Sequence, residues 1–399
     1  MTAVPDIDTT AADLRHKLAD QLAGHGWLRS PQWRAAVEAV PRHEFVRRFY
    51  RETDAPGLTT WTPVTADLVG VGEWLQQAYT DDTLITQFDG REIDWSEPKP
   101  ISGAHPTSSS TLPSLVVRML EDLQVHDAMA VLEIGTGTGY STALMCHRLG
   151  AQNVTSVETD PDVADRAREA LNRCGYSPRL VIGDGLAGAP EGGPYDRVIA
   201  TCGVRNIPQT WVEQTRPGGL ILATLRGWMR SLGLVRLTVG HDGHAEGRII
   251  AEEPSFMIAR QQDAPESLGM LPAPDEGSTR TTPHGPDLLS MSDSGFLAQL
   301  AMPNARFFTM PADNGTPHTY VLDATNNAFA VLTPADGNEW TVRQGGPIAL
   351  WDELERSLAT WHTAGSPAPT EFGITVTPTR QAIWLRSPEG PSWTLPDQT

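Results

Sequence analysis

A doubly wound α/β sheet, mostly parallel and covered by helices on both faces, is the fold that residues 113–240 predict. Three observations lead there: short apolar runs alternate with amphipathic segments of helix length, the connections between them are short and polar, and one apolar run enters a glycine-rich turn. In chain order, PSLVVRMLEDL has the spacing of an amphipathic helix, AVLEIG of a buried strand, STALMCHRLG of a helix and NVTSVE of a second strand. DVADRAREALNRCG, RLVIGDG, YDRVIAT, IPQTWVEQTRPGG and LILATL continue the alternation.

The flanks read differently. Residues 1–112 predict a helical N-terminal region, with Leu14, Leu18 and Leu22 at i, i+4 spacing and WRAAVEAVPRHEFV after it, followed by a loop-rich stretch over 51–112 on the substrate side. Residues 241–292, rich in Pro, Gly, Asp and Ser around DAPESLGMLPAPDEG, predict a connecting segment. Residues 293–399 predict a smaller α+β module, in which TYVLDAT, AFAVLT, FGITVTP and AIWLRS surround the helix PIALWDELERSLATWHTAG.

Bulk properties exclude several function classes. The 399 residues are 39 % hydrophobic and 20 % charged, a globular composition too long for one ordinary domain. A formal charge of −19 repels polyanions, so nucleic acid is not an expected partner. No apolar run reaches membrane-spanning length and the opening MTAVPDIDTTAADLRHKL lacks the features of a signal peptide, which predicts a cytoplasmic protein without a membrane partner. Cys146, Cys174 and Cys202 form no CxxC pair and read as buried thiols; His43, His105 and His147 show no ligand spacing, so no metal is expected. Oligomeric state is not legible.

The chemistry concentrates in Val131-Leu132-Glu133-Ile134-Gly135-Thr136-Gly137-Thr138-Gly139-Tyr140, a strand, a glycine turn and a helix start. Such a turn at the carboxyl end of the first strand is where a nucleotide-like ligand lies in a doubly wound sheet. The third glycine falls one residue too early for a dinucleotide fingerprint, with Tyr140 in its place, and Glu133 suits a cationic ligand better than a pyrophosphate. Glu158, ending the next strand, can accept from ribose hydroxyls, and Asp184 in Gly183-Asp184-Gly185 can accept from an adenine amino group. Together these point to S-adenosylmethionine, with Glu133, Gly135, Thr136, Gly137, Gly139, Tyr140, Glu158, Asp184 and Gly185 as the cofactor set.

On VLEIGTGTGY, on WRAAVEAVPRHEFV (residues 33–46), on AYTDDTL (78–84), and on PYDRVIAT and RPGGLILAT, the chain resembles the protein-L-isoaspartate O-methyltransferase family over roughly residues 10–230. The resemblance implies a Rossmann-like class I methyltransferase sheet, S-adenosylmethionine as methyl donor, S-adenosylhomocysteine as product, and a peptide or protein carboxylate as acceptor. The family's Q-T-x-S-x-P segment corresponds to Ser108-Ser109-Ser110-Thr111-Leu112-Pro113, so Thr111 takes the serine position beside the reacting carboxylate, with Ser109 and Ser110 as further donors and Ser108 as a substrate contact. A Ser/Thr run before proline is also ordinary helix-capping chemistry. Val204-Arg205-Asn206 corresponds to the family's substrate loop, which makes Arg205 a candidate for meeting substrate acidity, and Pro41-Arg42-His43 makes His43 a structural residue.

Two departures modify the expectation. Thr111 adds a methyl where the family has serine, and the chain continues well past the sheet with FGITVTP (372–378), AIWL (382–385) and PSW (391–393), which resemble the extensions of longer actinobacterial members that tailor ribosomally synthesised peptides of the graspetide and lanthipeptide kinds. That resemblance implies methylation of an L-aspartate in a cyclised precursor and closure of the ester to an aspartimide. A side-chain carboxylate has a reference pKa near ~4 and is ionised at neutral pH, so no general base is required and catalysis reduces to orientation and exclusion of water. Repair of isoaspartyl residues is the alternative with the same chemistry; a non-catalytic S-adenosylmethionine sensor is the alternative of another class.

Overall fold

Capping chemistry sets where two of the helices around the site begin. Ser30 accepts from the backbone N–H of Trp33 with Pro31 in the first turn, starting Pro31–Ala39. Asp160 accepts from the backbone N–H groups of Asp162 and Val163 with Pro161 behind it, starting Pro161–Arg173. The computed structural model describes residues 7–53, 59–252, 256–267, 270–312 and 315–397. Residues 1–6 of the opening and 268–269 of the expected linker lie outside these. The chain forms two compact units, Met1–Cys202 with Thr210–Leu222, and Gly203–Gln209 with Ala223–Thr399. The boundary falls inside the strand Thr215–Arg226.

The first unit contains the doubly wound sheet. Its strands follow the order Thr215–Arg226, Tyr195–Val204, Val131–Ile134, Val154–Glu158, Arg179–Ile182. The last four are mutually parallel, with Ile134 opposite Val157 on one side and Ala200 on the other. Val131–Ile134, buried along its whole length, lies where the strand order reverses, and in open α/β sheets the ligand crevice forms there, beyond the carboxyl ends of the strands. Helices Tyr140–Leu149 and Pro161–Arg173 make the crossovers between parallel strands and Pro113–Asp122 leads into the first of them, as their spacing predicts. Burial pushes the Cys146 and Cys202 thiols up to about 12 and Cys174 up to about 11, which keeps them neutral.

The region expected to be loop-rich, 51–112, keeps long loops such as 89–100 but also builds a sheet, with 54–58 outside the described residues. Strands Ile101–Ser102, Thr60–Thr65, Arg48–Thr53, Leu84–Phe88 and Pro106–Ser110 line up in that order as an antiparallel sheet, with the short helices Ala66–Val69 and Val71–Ala78 inserted. The polar sequence Pro106-Thr-Ser-Ser-Ser110 has no apolar alternation; its pairing with Leu84–Phe88 and side-chain hydrogen bonds fix it as a strand. Residues 241–292 are likewise more than a connector, since they supply the strands Ala245–Ala251 and Ser278–Thr282.

The second unit has two antiparallel arrays. One runs Ser231–Val239, Ala245–Ala251, Phe372–Val376, Gln381–Leu385, Ser392–Thr394, and the other Ser278–Thr282, Trp340–Gly345, Ala328–Pro334, Pro317–Asp323, Arg306–Pro311. Helices Ser292–Ala301 and Leu350–Thr363 pack together. Phe372, Ile374, Ile383 and Trp384 are all core, and Trp384 lies so close over Gly373 that a β-carbon there would be 2.1 Å from its ring.

Within the first unit, Arg42 is wholly buried and holds the N-terminal segments together. Its guanidinium donates to the carbonyls of Ala78 at 2.9 Å, Thr80 at 2.7 Å and Asp82 at 2.9 Å, and reaches those of Ser110 and Thr111 at 3.5 and 3.4 Å. The cation also lies 5.8 Å from the centre of the Tyr140 ring, and burial lowers its pKa to about 10, so it stays charged at neutral pH. His43 beside it bonds the Tyr79 hydroxyl at 2.7 Å and meets Trp74 edge-on, a packing role. Arg42→Met removes the donor from several buried carbonyls at once and is expected to cost at least about 3 kcal/mol, read as an earlier first transition in urea. Arg42→Lys should recover only part of this, because a single ammonium nitrogen with three donors cannot span the five carbonyls that the two guanidinium nitrogens reach. An Arg42→Met transition within about 0.5 kcal/mol of the wild type would show that the clamp is dispensable.

Candidate active site

The glycine loop requires its glycines. Gly135, Gly137 and Gly139 have φ of +93°, +54° and +89°, in the left-handed region where a β-carbon is strained. At Gly139 a β-carbon would also press on Ala167 and Leu171 of the next helix at 3.4 and 3.5 Å. The loop is pinned by the Gly135 N–H on the Val157 carbonyl at 2.9 Å and by the Gly137 N–H on Glu158 Oε2 at 2.9 Å.

Three residues of the expected cofactor set turn out to support the loop rather than face a ligand. Glu133 is fully buried, and its carboxylate accepts from Ser141 Oγ and Thr142 Oγ1 at 2.5 Å and from Ser156 Oγ at 2.7 Å. Burial raises its pKa and the three hydroxyls oppose that rise, so the carboxylate belongs to the scaffold and is no counter-charge for a cationic ligand. Thr136, 3 % exposed, gives its hydroxyl to Ser156 at 2.7 Å. The Tyr140 side chain is buried against Arg42 and Phe45, and burial raises its pKa. A carboxylate inside apolar strands needs nearby donors, and the helix start supplies them.

Glu158 and Asp184 keep acceptor capacity of the kind a nucleoside needs. Glu158 Oε2 takes the Gly137 N–H and Oε1 takes the Asp160 N–H at 3.1 Å, so each oxygen retains a lone pair for one hydroxyl of a ribose diol. Asp184, exposed, caps the turn Gly185–Ala187 through Oδ1 at 2.9 Å, which leaves Oδ2 to accept from an amino group. Gly185 sits against the first strand, where a β-carbon would meet Ile134 Cγ2 at 2.6 Å. Diol acceptor, amino acceptor and glycine cradle all converge at the switch point, and this donor set fits S-adenosylmethionine.

The Ser/Thr segment reaches the same loop. A β-carbon on Gly137 would stand 3.3 Å from the Ser109 carbonyl oxygen, so strand Pro106–Ser110 abuts the glycine turn. Along the segment burial alternates: Ser108 and Ser110 are buried, Ser109 and Thr111 half-buried. Ser108 Oγ accepts from Thr86 at 3.2 Å, and Ser110 Oγ, 3 % exposed, is turned into the protein. Ser108, taken by Thr86, drops out of the substrate set, while Ser110 Oγ, buried with no hydrogen-bond partner among the described residues, stays with Ser109 and Thr111 as a candidate orienting hydroxyl. Arg205 leaves the substrate set as well. In the second unit its guanidinium lies 3.8 Å from the centre of the Trp228 ring and donates to the Pro303 carbonyl and to Asn304 Oδ1, while its backbone N–H is held by Gln262.

Residue type alone missed Arg42, Gln87 and Asp160. Gln87, 1 % exposed, accepts from Thr107 Oγ1 at 2.9 Å and donates to Asp160 Oδ2 at 3.0 Å. For Asp160 a signal was present, because an aspartate followed by proline two residues beyond a strand end is an N-cap. For the other two there was none. Among the described residues no three His, Cys, Asp or Glu side chains converge as a metal ion would require, and no helix is long and apolar enough to cross a membrane.

Comparison with known proteins agrees with this geometry. The family described as Protein-L-isoaspartate(D-aspartate) O-methyltransferase (PCMT) matches residues 76–246. A protein-L-isoaspartate O-methyltransferase of Methanopyrus kandleri is 30 % identical over 238 residues, 59 % of this chain and 86 % of that one. One of Thermococcus onnurineus is 36 % identical over 149 residues, 36 % of this chain and 66 % of that one, and one of Methanoculleus marisnigri is 42 % identical over 135 residues, 34 % and 60 %. A solved protein-L-isoaspartate O-methyltransferase structure, 21 % identical, superposes with a TM-score of 0.52 over 94 % of this chain and all of that one, which shows the fold. The chain belongs to the protein-L-isoaspartate O-methyltransferase family, with S-adenosylmethionine as its cofactor.

Proposed function

We propose that this chain is an S-adenosylmethionine-dependent carboxyl O-methyltransferase acting in the cytoplasm on an aspartate side chain of a ribosomally made, cyclised peptide. The observation that carries the reading is the abutment of strand Pro106–Ser110, at the Ser109 carbonyl, on the Gly137 turn. That contact brings the Ser/Thr segment up to the nucleoside cradle, and an aspartate acceptor, already ionised at neutral pH, needs orientation there rather than a base.

Bound S-adenosylmethionine supplies an activated methyl group on a cationic sulfur. The chain's part is to hold and orient. Glu158 takes the ribose diol, Asp184 the adenine amino group, and the loop backbone lets the ligand approach closely. Thr111, with its carbonyl tethered by Arg42, donates its hydroxyl to one carboxylate oxygen so that the other lies in line for transfer; Ser109 is the second donor on the same face. No proton has to move. In the ester product the backbone amide nitrogen that follows can attack the ester carbonyl and expel methanol, giving an aspartimide.

The peptide substrate is supported by Thr111, which adds a methyl where the family has serine; the second unit favours neither reading, since the solved protein-L-isoaspartate O-methyltransferase matches 94 % of this chain. Repair of isoaspartyl residues is the second reading, favoured by the retained hydroxyl and the family. Incubation with an isoaspartyl peptide and with its L-aspartyl counterpart, scored by base-labile methyl ester, separates the two. A binding protein without turnover would give ester with neither.

Thr111→Val preserves shape and removes the donor. Cofactor affinity should hold while methyl transfer falls about tenfold to a hundredfold, the effect of an orienting hydrogen bond of about 1.4–2.8 kcal/mol. Full activity in that variant would remove the hydroxyl from the mechanism. Glu158→Ala should weaken S-adenosylhomocysteine by about 1.5–3 kcal/mol in calorimetry with the fold intact; an unchanged dissociation constant would mean that the ribose is held elsewhere.

A further inference from the structure

Gln87 lies in strand Leu84–Phe88 and touches neither the glycine loop nor the Ser109–Thr111 hydroxyl face through any of its side-chain hydrogen bonds described above. Yet it closes a circuit. Thr107 Oγ1 on the substrate strand donates to Gln87 Oε1 at 2.9 Å, and Gln87 Nε2 donates to Asp160 Oδ2 at 3.0 Å. The Asp160 N–H then reaches Glu158 Oε1 at 3.1 Å, and Glu158 Oε2 holds the Gly137 N–H at 2.9 Å. Gly137 in turn abuts the Ser109 carbonyl, two residues along from Thr107.

We propose that Gln87 is a positioning residue that couples the occupancy of Glu158 to the placement of the substrate strand Pro106–Ser110 and, through it, of Thr111. The inference rests on the assignment of Glu158 to the cofactor and of the hydroxyl face to the substrate. Gln87 suits the task because an amide offers a donor and an acceptor on one planar group, so a single side chain can join a hydroxyl to a carboxylate. It is 1 % exposed and Asp160 is 6 % exposed, so water does not compete for the link. Asp160 is bound on both sides of its role: Oδ1 caps Pro161–Arg173 and Oδ2 takes Gln87. A shift of Glu158 on engaging a diol is thereby passed to the helix cap and to the strand. The strand needs such a tie, since its Thr-Ser-Ser-Ser sequence has little apolar surface to hold it in place.

The test is hydrogen–deuterium exchange with S-adenosylhomocysteine as the probe, together with calorimetry on the full chain. In the wild type the ligand should slow exchange in the loop 135–140 and also in 107–112. Gln87→Met keeps the volume and removes the hydrogen bonds to Thr107 and Asp160. Its affinity for the probe should change less than about threefold and loop protection should persist, while the ligand-induced slowing at 107–112 falls about fivefold or more. Asp160→Asn should retain the coupling, because asparagine still caps the helix and the Gln87 amide can flip to accept from it and donate to Thr107. Thr107→Val, at a half-buried position, cuts the same link and carries the same expectation should Gln87→Met not fold. Undiminished strand slowing in the Gln87→Met or Thr107→Val protein, with the probe bound, overturns the coupling. Failure of the probe to bind the wild type overturns the cofactor assignment, and the coupling with it.

Discussion

Glu133 buries a carboxylate among apolar strands, and an unpaired charge there would cost several kcal/mol. Three hydroxyls meet it: Ser141 and Thr142 from the first turn of the following helix, and Ser156 from the neighbouring strand. Satisfying that charge brings helix Tyr140–Leu149 and strand Val154–Glu158 to fixed places around the glycine turn. Ser156 passes the constraint on to Thr136 inside the turn. The loop geometry that a nucleoside needs is thus set by a residue that the ligand does not meet.

A second set of polar fasteners holds the segment carrying the hydroxyls. Strand Pro106–Ser110 and the turn after it contain almost nothing that hydrophobic burial could grip, so their position depends on hydrogen bonds from elsewhere. Arg42 reaches the Ser110 and Thr111 carbonyls, and Gln87 takes the Thr107 hydroxyl. Both are buried, where such bonds are stronger than in water and costly to leave unmade. Arg173, which donates to both a carboxylate oxygen and the carbonyl of Glu44, adds a tie from the helix behind Glu158 to the N-terminal segment. The apolar sheet gives the cofactor a stable wall, and a polar network gives the acceptor its place.

The second unit shows how conspicuous residues can mislead. Phe372, Ile383, Trp384 and their neighbours form core, with Trp384 stacked on the bare backbone of Gly373. Arg205, the one cation that sequence position offered to an acidic substrate, is held by Trp228, Pro303 and Asn304. Aromatic residues at strand spacing and an arginine beside an aromatic ring serve packing as readily as recognition.

The sequence by itself determined the doubly wound sheet, its helices, the glycine turn and the two acceptors Glu158 and Asp184, because these depend on local periodicity and on backbone conformations only glycine adopts freely. Thr111 came into view only through the resemblance to the family's segment before Pro113, not through any local periodicity. Only the tertiary structure showed that this segment abuts the turn and which of its positions are buried, since the Ser108–Thr111 run is equally polar on both faces. It likewise decided that the Glu133, Thr136 and Tyr140 side chains support the loop, that strands run through the 51–112 region, and that Arg42, Gln87 and Asp160 tie the site together. The physical reason is common to all of these. A polar side chain's role is fixed by the partner it meets across the fold, such as Thr107 with Gln87 or Arg42 with Thr111, and those pairings join residues that local sequence cannot bring together.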